Sequence, residues 1–233
     1  TVAIWEVTEE APLLTLQGNT SKVMVVAYAP NGKQIVTGGN DQVIRVWDSQ
    51  TGWELLQHKG HTGFITSLAI SSRGDKMVSG SRDGSAKVWS TRANTSPFQI
   101  SGHTKGVKSV AISPDGKRIG TGSWDKTVKI WDTSTGSQAT TLKGYNTATN
   151  SLRFSPDGTR LLLGGYDGTV EVWDAKSGTK MFAYPSQKES VMSAAFSPDG
   201  KRIATAEWHI TSEGSHLEAG MGSHNAEIWD AHT

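Results

Sequence analysis

Four of the seven histidines in this sequence, the side chains best suited to binding a metal, crowd one end of the chain. His209, His216, His224 and His232 follow Glu207, with Glu213 and Glu218 among them, so imidazole and carboxylate ligands share one stretch. Their spacings of seven, eight and eight residues fit no compact metal motif, and a solvated loop without metal is expected. Gly-Ser-His occurs at 214 to 216 and again at 222 to 224, which adds a second reading as a vector-derived linker. Nucleophilic chemistry has equally little to stand on. There is no Cys, hence no thiolate, no disulfide and no thiolate zinc site. The sequence also lacks a Gly-x-Ser-x-Gly elbow, a phosphate loop and a His-Glu-x-x-His pair. The chain is expected not to be an enzyme and to need no cofactor.

Charge and composition narrow the classes further. Across 233 residues, 23 Lys plus Arg stand against 22 Asp plus Glu, a formal net charge of +1. Such a balance argues against a nucleic-acid groove or a polybasic membrane patch as the main activity. Apolar stretches such as Val23 to Ala29 fall far short of the ~20 residues of a spanning helix. Thr1 to Glu10 shows no signal peptide, and its strand-like start suggests a cut or processed end. A soluble, cytoplasmic protein is expected. With 26 Gly and 9 Trp against 7 Pro, the chain is turn-rich and globular. Its length allows a single all-β domain that buries about 70% of its unfolded surface.

The elements that must position any site come from a repeat. Trp5, Trp47, Trp89, Trp131 and Trp173 are each 42 residues apart, and Trp229 follows after 56. Ile35, Met77, Ile119, Leu161 and Ile203 keep the same offset. Within one unit the pattern has period two, with Val107, Ser109 and Ala111 on one side and Lys108, Val110 and Ile112 on the other. Pro114-Asp115-Gly116 then makes a turn, because Pro fixes φ, Asp bonds its own backbone and Gly accepts positive φ. Arg118 to Ser123, Thr127 to Asp132 and Ser137 to Leu142 read as three further strands, and no helix is predicted.

Gly60-His61, Gly102-His103, the Ser-Pro-Asp-Gly turns, and Trp-Asp at 47, 131, 173 and 229 together resemble the WD-repeat family. The resemblance covers nearly the whole chain. It implies an all-β fold, a β-propeller of four-stranded antiparallel blades, with residues 1–233 as one domain and a loop inserted at about 209–224. It also implies internal tetrads where residue types agree: His61, Ser79, Asp83 and Trp89, then His103, Thr121, Asp125 and Trp131. His, Ser and Asp together imitate a hydrolase triad, but two like sets in adjacent blades suit a structural network better. Elsewhere the pattern departs, with Asn19 and Tyr145 in the His column, Leu163 in the Ser/Thr column and His209 in the Asp column.

Strand counting gives about five blades, against about seven in the family. Closure by pairing Leu13 to Gln17 with Ala226 to Trp229 would leave Thr1 to Val7 spare. A fragment of a seven-bladed ring, a ring completed by a second chain and a true five-bladed ring are the three readings, and open edges favour oligomerisation.

The family likeness places the residue before each turn Asp on one rim, here Asn40, Arg82, Trp124, Tyr166 and Trp208, with Phe64 beside them. Arg and aromatic residues are common binding anchors, and the turns do not require them. The expected function is a non-catalytic scaffold or sensor that binds a protein or peptide partner on this rim. The alternative is a glycan or small ligand stacked on the aromatics.

Overall fold

The computed structural model of the chain describes residues 1–8, 10–93, 95–184, 189–208 and 226–231, with only the main chain of Trp208. Every regular element among them is a β-strand, so no helix of the described residues is long and apolar enough to cross a membrane. Blade 1 comprises β3 (Val23–Tyr28), β4 (Gln34–Gly39), β5 (Ile44–Asp48) and β6 (Glu54–His58), and blade 2 comprises β7 (Ile65–Ile70), β8 (Lys76–Ser81), β9 (Ala86–Ser90) and β10 (Phe98–Ile100). Blade 3 follows with β11 (Val107–Ile112), β12 (Arg118–Ser123), β13 (Val128–Asp132) and β14 (Gln138–Thr141). Blade 4 has β15 (Thr149–Phe154), β16 (Arg160–Gly165), β17 (Val170–Asp174) and β18 (Lys180–Tyr184). Before blade 1, β1 (Val2–Trp5) and β2 (Pro12–Leu16) form a two-stranded sheet. After blade 4, β19 (Ser190–Phe196), β20 (Arg202–Trp208) and β21 (Ala226–Asp230) form a three-stranded one.

Turn chemistry explains why the strands stop where they do. In blade 3, Gly116 N–H donates to Ser113 C=O at 2.8 Å, and Asp115 Oδ1 accepts from Lys117 N–H at 3.0 Å. Gly116 takes φ +71°, which a side chain would oppose. The Asp of Trp131-Asp132 makes a second turn, accepting from the amides of Ser134 and Thr135 at 2.9 Å each. Bonds from the hydroxyl and amide of Ser134 and from Thr135 hold the Asp132 pKa at about 2.

Neighbouring blades are joined through their inner strands, β3 against β7, β7 against β11, β11 against β15 and β15 against β19. Ser67 Oγ accepts from Val110 N–H at 3.1 Å, and Ser151 Oγ accepts from Ala194 N–H at 3.0 Å, two repeats later. Arg118 reaches out of blade 3 to the carbonyls of Gly158 and Ala175, at 2.8 and 3.2 Å. Arg160 repeats the reach from blade 4 to Gly200 and Ala231. Between these polar stitches lies apolar packing, as where Val78 and Val88 of blade 2 meet Val107, Ile119 and Trp131 of blade 3.

Two expectations need correction. The inner strands do not keep a plain period of two, because a bulge lies between Val107 and Ser109 and at the same place in each of the other four inner strands. Val107 and Val110 therefore share one face: a Cβ added to Gly80 would lie 2.7 Å from Val107 Cγ1 and 2.9 Å from Val110 Cγ1. The second correction concerns closure. β2 pairs with β1, Val2 opposite Leu16, while β21 pairs with β20 alone among the described strands. Leu13 to Gln17 does not pair with Ala226 to Trp229, and Thr1 to Val7 is not spare. The local pairing closes only a short loop, and Ile4 and Leu16 are already buried against Ile35 and Trp47 of blade 1. Among the described residues the blades comprise four four-stranded sheets, with a two-stranded sheet before them and a three-stranded one after.

Candidate functional site

Blades 2 and 3 each hold a buried polar chain. His61 Nδ1 lies 2.7 Å from Asp83 Oδ2, His61 Nε2 lies 2.6 Å from Ser79 Oγ, and the Trp89 indole N–H donates to the same Oγ at 2.8 Å. In blade 3 the corresponding distances are 2.8 Å from His103 to Asp125, 2.7 Å to Thr121 Oγ1, and 2.8 Å from Trp131 to Thr121. One sense of donation satisfies every atom: indole to hydroxyl, hydroxyl to Nε2, and Nδ1–H to carboxylate. Burial alone would raise the Asp83 pKa, but bonds from His61, from the Ser85 hydroxyl and amide, and from Thr62 N–H hold it far below the carboxylate range. Asp125 is lowered in the same way against its own burial, by Thr127, Thr104 and His103.

This geometry has the distances of a hydrolytic triad but not its access. Ser79 is fully buried, and its oxygen is engaged by both the indole and the imidazole, so no substrate carbonyl can reach it. What the chain can do is tie the loop before a blade to two of its strands.

The departing blades solve the same problem differently. In blade 1, Trp47 donates to Thr37 Oγ1 at 2.9 Å and Thr37 to Asn19 Oδ1 at 3.2 Å, where the chain stops. Asp41 pairs with Arg45 instead, at 2.6 Å. In blade 4, Trp173 donates to Glu171 Oε2 at 2.9 Å, and Leu163 is fully buried. Tyr145 meets the Trp173 ring edge-on at 6.3 Å. In the three-stranded sheet Trp229 donates to Thr205 Oγ1 at 3.3 Å, and His209, in the Asp column there, lies outside the described residues.

Two expected outcomes follow. His103→Ala should lower the unfolding free energy by about 1 to 3 kcal/mol, because Thr121 and Asp125 each lose a buried partner. Asn19→Ala should cost less, since Asn19 supplies one long bond and its Nδ2 is already buried without a partner. Equal losses in urea melts would remove the distinction between the two networks. The second outcome is a pH dependence. Burial lowers the pKa of His103 despite the opposing Asp125 charge, and burial likewise lowers that of His58. With folded pKa values below the unfolded one of about 6.5, their contribution is present above that value and is lost as pH falls below it and through the folded pKa values. Urea melts should therefore show lower stability at pH 5.5 than at pH 7, and less of a fall in His58→Leu; a flat or inverted profile contradicts this assignment.

The rim residues are set by one repeated main-chain bond. Asn40 N–H donates to Lys22 C=O, Arg82 to Phe64, Trp124 to Gly106 and Tyr166 to Ala148, at 2.9, 2.9, 3.0 and 2.9 Å. This places four side chains of one column at one end of successive blades, three of which meet a neighbour. The Arg82 guanidinium lies 5.5 Å over the Phe64 ring, and Trp124 and Tyr166 pack with ring centroids 5.9 Å apart. Phe64, Arg82 and Tyr166 are exposed, while Asn40 and Trp124 are half-buried. Trp208 occupies the same column at the end of β20, but its side chain lies outside the described residues, as does the whole expected insertion at 209–224 with its histidines. Among the described residues no group of three His, Cys, Asp or Glu is placed to hold a metal.

Asn40, Phe64, Arg82 and Trp124 line a cleft of about 220 Å³ together with Lys22, Met24 and Lys108. Among the described residues no carboxylate lines it. Lys108 Nζ stands 5.5 Å over the Trp124 ring, and its pKa is lowered by burial and by the Arg82 charge. Sequence reasoning missed Lys108 and Lys22. Lys108 is the bulged residue of β11, and the bulge re-aims it at the rim; the sequence signal was Val107 and Val110, which are both apolar and three apart.

Four-stranded blades repeating every 42 residues, two of them locked by a His, hydroxyl and indole chain, define a repeat protein of the β-propeller class. The WD domain, G-beta repeat family matches residues 10–48, 52–90, 94–132, 136–174 and 178–215, and the chain belongs to this WD40 repeat family. Each match ends near a Trp-Asp pair or where one would fall, so it spans the last strand of one blade and most of the next. A 49-residue stretch is 39% identical to the Periodic tryptophan protein 2 homolog of Mus musculus, covering 21% of this chain and 5% of that protein. A 46-residue stretch is 41% identical to WD repeat-containing protein srw1 of Schizosaccharomyces pombe, covering 20% of this chain and 8% of that protein. Proteins of this family are in general non-catalytic scaffolds that bind protein partners.

Proposed function

We propose that residues 1–233 act as one propeller domain whose rim, built from Asn40, Phe64, Arg82, Trp124, Tyr166 and Trp208, binds a protein or peptide partner. The observation that carries this reading is the convergence of aromatic and cationic side chains from blades 1 to 3 on one cleft with no carboxylate in its lining. Aromatic and Arg side chains give large contact area and directed bonds, the usual composition of interaction hot spots. The geometry is less suited to a glycan. Stacking a sugar needs an open, flat ring face, whereas Lys108 stands over Trp124, and Trp124 and Tyr166 are inclined by 57°.

Parallel peptide and glycan arrays probed with the full chain test the choice. Binding confined to peptides is expected. Binding confined to glycans would replace this reading with the stacking one.

A further inference from the structure

The end of the molecule opposite the rim holds a second opening. The rim residues follow the last residues of β4, β8, β12 and β16, whereas the Pro-Asp-Gly type turns precede the first residues of the same strands, so the two lie at opposite ends. On the turn side, the inner strands β7, β11, β15 and β19 surround a cleft of about 450 Å³, a volume in the range of small-molecule sites. Much of its lining is apolar, including Leu68, Ile70, Val110, Ile112, Phe154 and Phe196, with Ser155 and Ser197 beside them.

One column in this cleft breaks the repeat. Ala27, Ala69, Ala111 and Ala195 occupy equivalent positions in four inner strands, and the fifth position is Arg153 in β15. Four methyl groups show that the fold asks only for a small side chain there. Arg153 Nη1 donates to the adjacent Leu152 carbonyl at 2.8 Å, and no ion pair engages the guanidinium among the described residues. Among the described residues no Asp or Glu lines the cleft. Arg153 is exposed and lines the cleft, and partial desolvation there lowers its pKa. A structural Arg would be matched by carbonyls of the next blade, as Arg118 and Arg160 are. Among the described residues Arg153 has no such match across blades.

We propose that this central cleft is a binding site for a small amphipathic monocarboxylate, with Arg153 taking the carboxylate and the apolar walls taking its hydrocarbon body. A guanidinium presents paired N–H donors that fit a carboxylate in a fork, and the low-polarity walls strengthen that contact. The site is independent of the rim and of whatever binds there.

Octanoate is the probe, titrated calorimetrically into the full chain, with octanol as the same body without charge and inorganic phosphate as charge without the body. Octanoate should bind at least about tenfold more tightly than either control, and Arg153→Ala should weaken it at least about tenfold. Arg153→Lys should fall between, since an ammonium keeps the charge but not the fork. The alanine variant restores the residue of the other four strands, so its fold should persist, and a thermal melt matching the wild type confirms that the loss is local. Equal octanoate affinity in wild type and Arg153→Ala overturns the proposal, as does no octanoate binding up to about 10 mM. Tight binding of phosphate alone would overturn the amphipathic ligand class.

Discussion

Replacing Trp131 with alanine is expected to lower the unfolding free energy by about 3 to 5 kcal/mol, the range for deleting a buried aromatic side chain. The indole is 3% exposed and packs against residues of blade 2 and its own blade, so its loss opens a cavity at a blade junction. It also removes the N–H that donates to Thr121 Oγ1. Trp131→Phe should retain most of the packing and cost less, because Thr121 can still donate to His103 Nε2. The network itself is read by a double-mutant cycle. Trp131→Ala and His103→Ala share Thr121 as a partner, so their effects should be non-additive by about 0.5 to 3 kcal/mol. Trp131→Ala with Asn19→Ala involves blades 3 and 1 and no shared partner, and should add within about 0.5 kcal/mol. Additivity in both pairs, measured by urea unfolding, would reduce the buried chain to independent contacts.

The architecture was legible because a propeller repeats its solutions. The Trp column locates the third strand, the Pro-Asp-Gly turns separate the first from the second, and Arg118 to Ser123 falls on β12 residue for residue. What stayed hidden was any feature that needs an exception to the pattern. The bulge at Lys108 adds one residue to a strand whose side chains, Val, Lys, Ser and Val, suit either register, so period two was read straight through it. Glu171 satisfying the Trp173 indole was equally hidden, because the same column holds Arg45, Lys87 and Lys129 in the other blades, and none of these can accept an indole N–H. Closure failed as an inference for a different reason. Which strand an edge pairs with depends on competition between partners, and β1 lies only a short loop away from β2.

Truncating Trp124 and Tyr166 together is expected to weaken a rim-bound peptide by more than about 2 kcal/mol, roughly 30-fold, with little loss of stability. The two side chains stand on successive blades and pack on each other, so a partner crossing that junction meets one continuous aromatic surface. Each single truncation leaves the other ring less supported, and Trp124→Ala also removes the surface under Lys108. The losses should therefore be non-additive, which separates a shared surface from two independent contacts. Stability should change little, because Tyr166 is 48% exposed and the main-chain bonds that place both residues do not depend on their side chains. Arg82→Ala provides a separate handle: it removes a rim cation, leaves burial as the cause that lowers the Lys108 pKa, and opens the Phe64 ring, so it should weaken an acidic peptide more at low salt than at high salt. The measurement is titration of the best array peptide into the wild type and each variant, with melts run in parallel. Unchanged affinity in a folded Trp124→Ala, Tyr166→Ala double variant would move the recognition surface away from this rim.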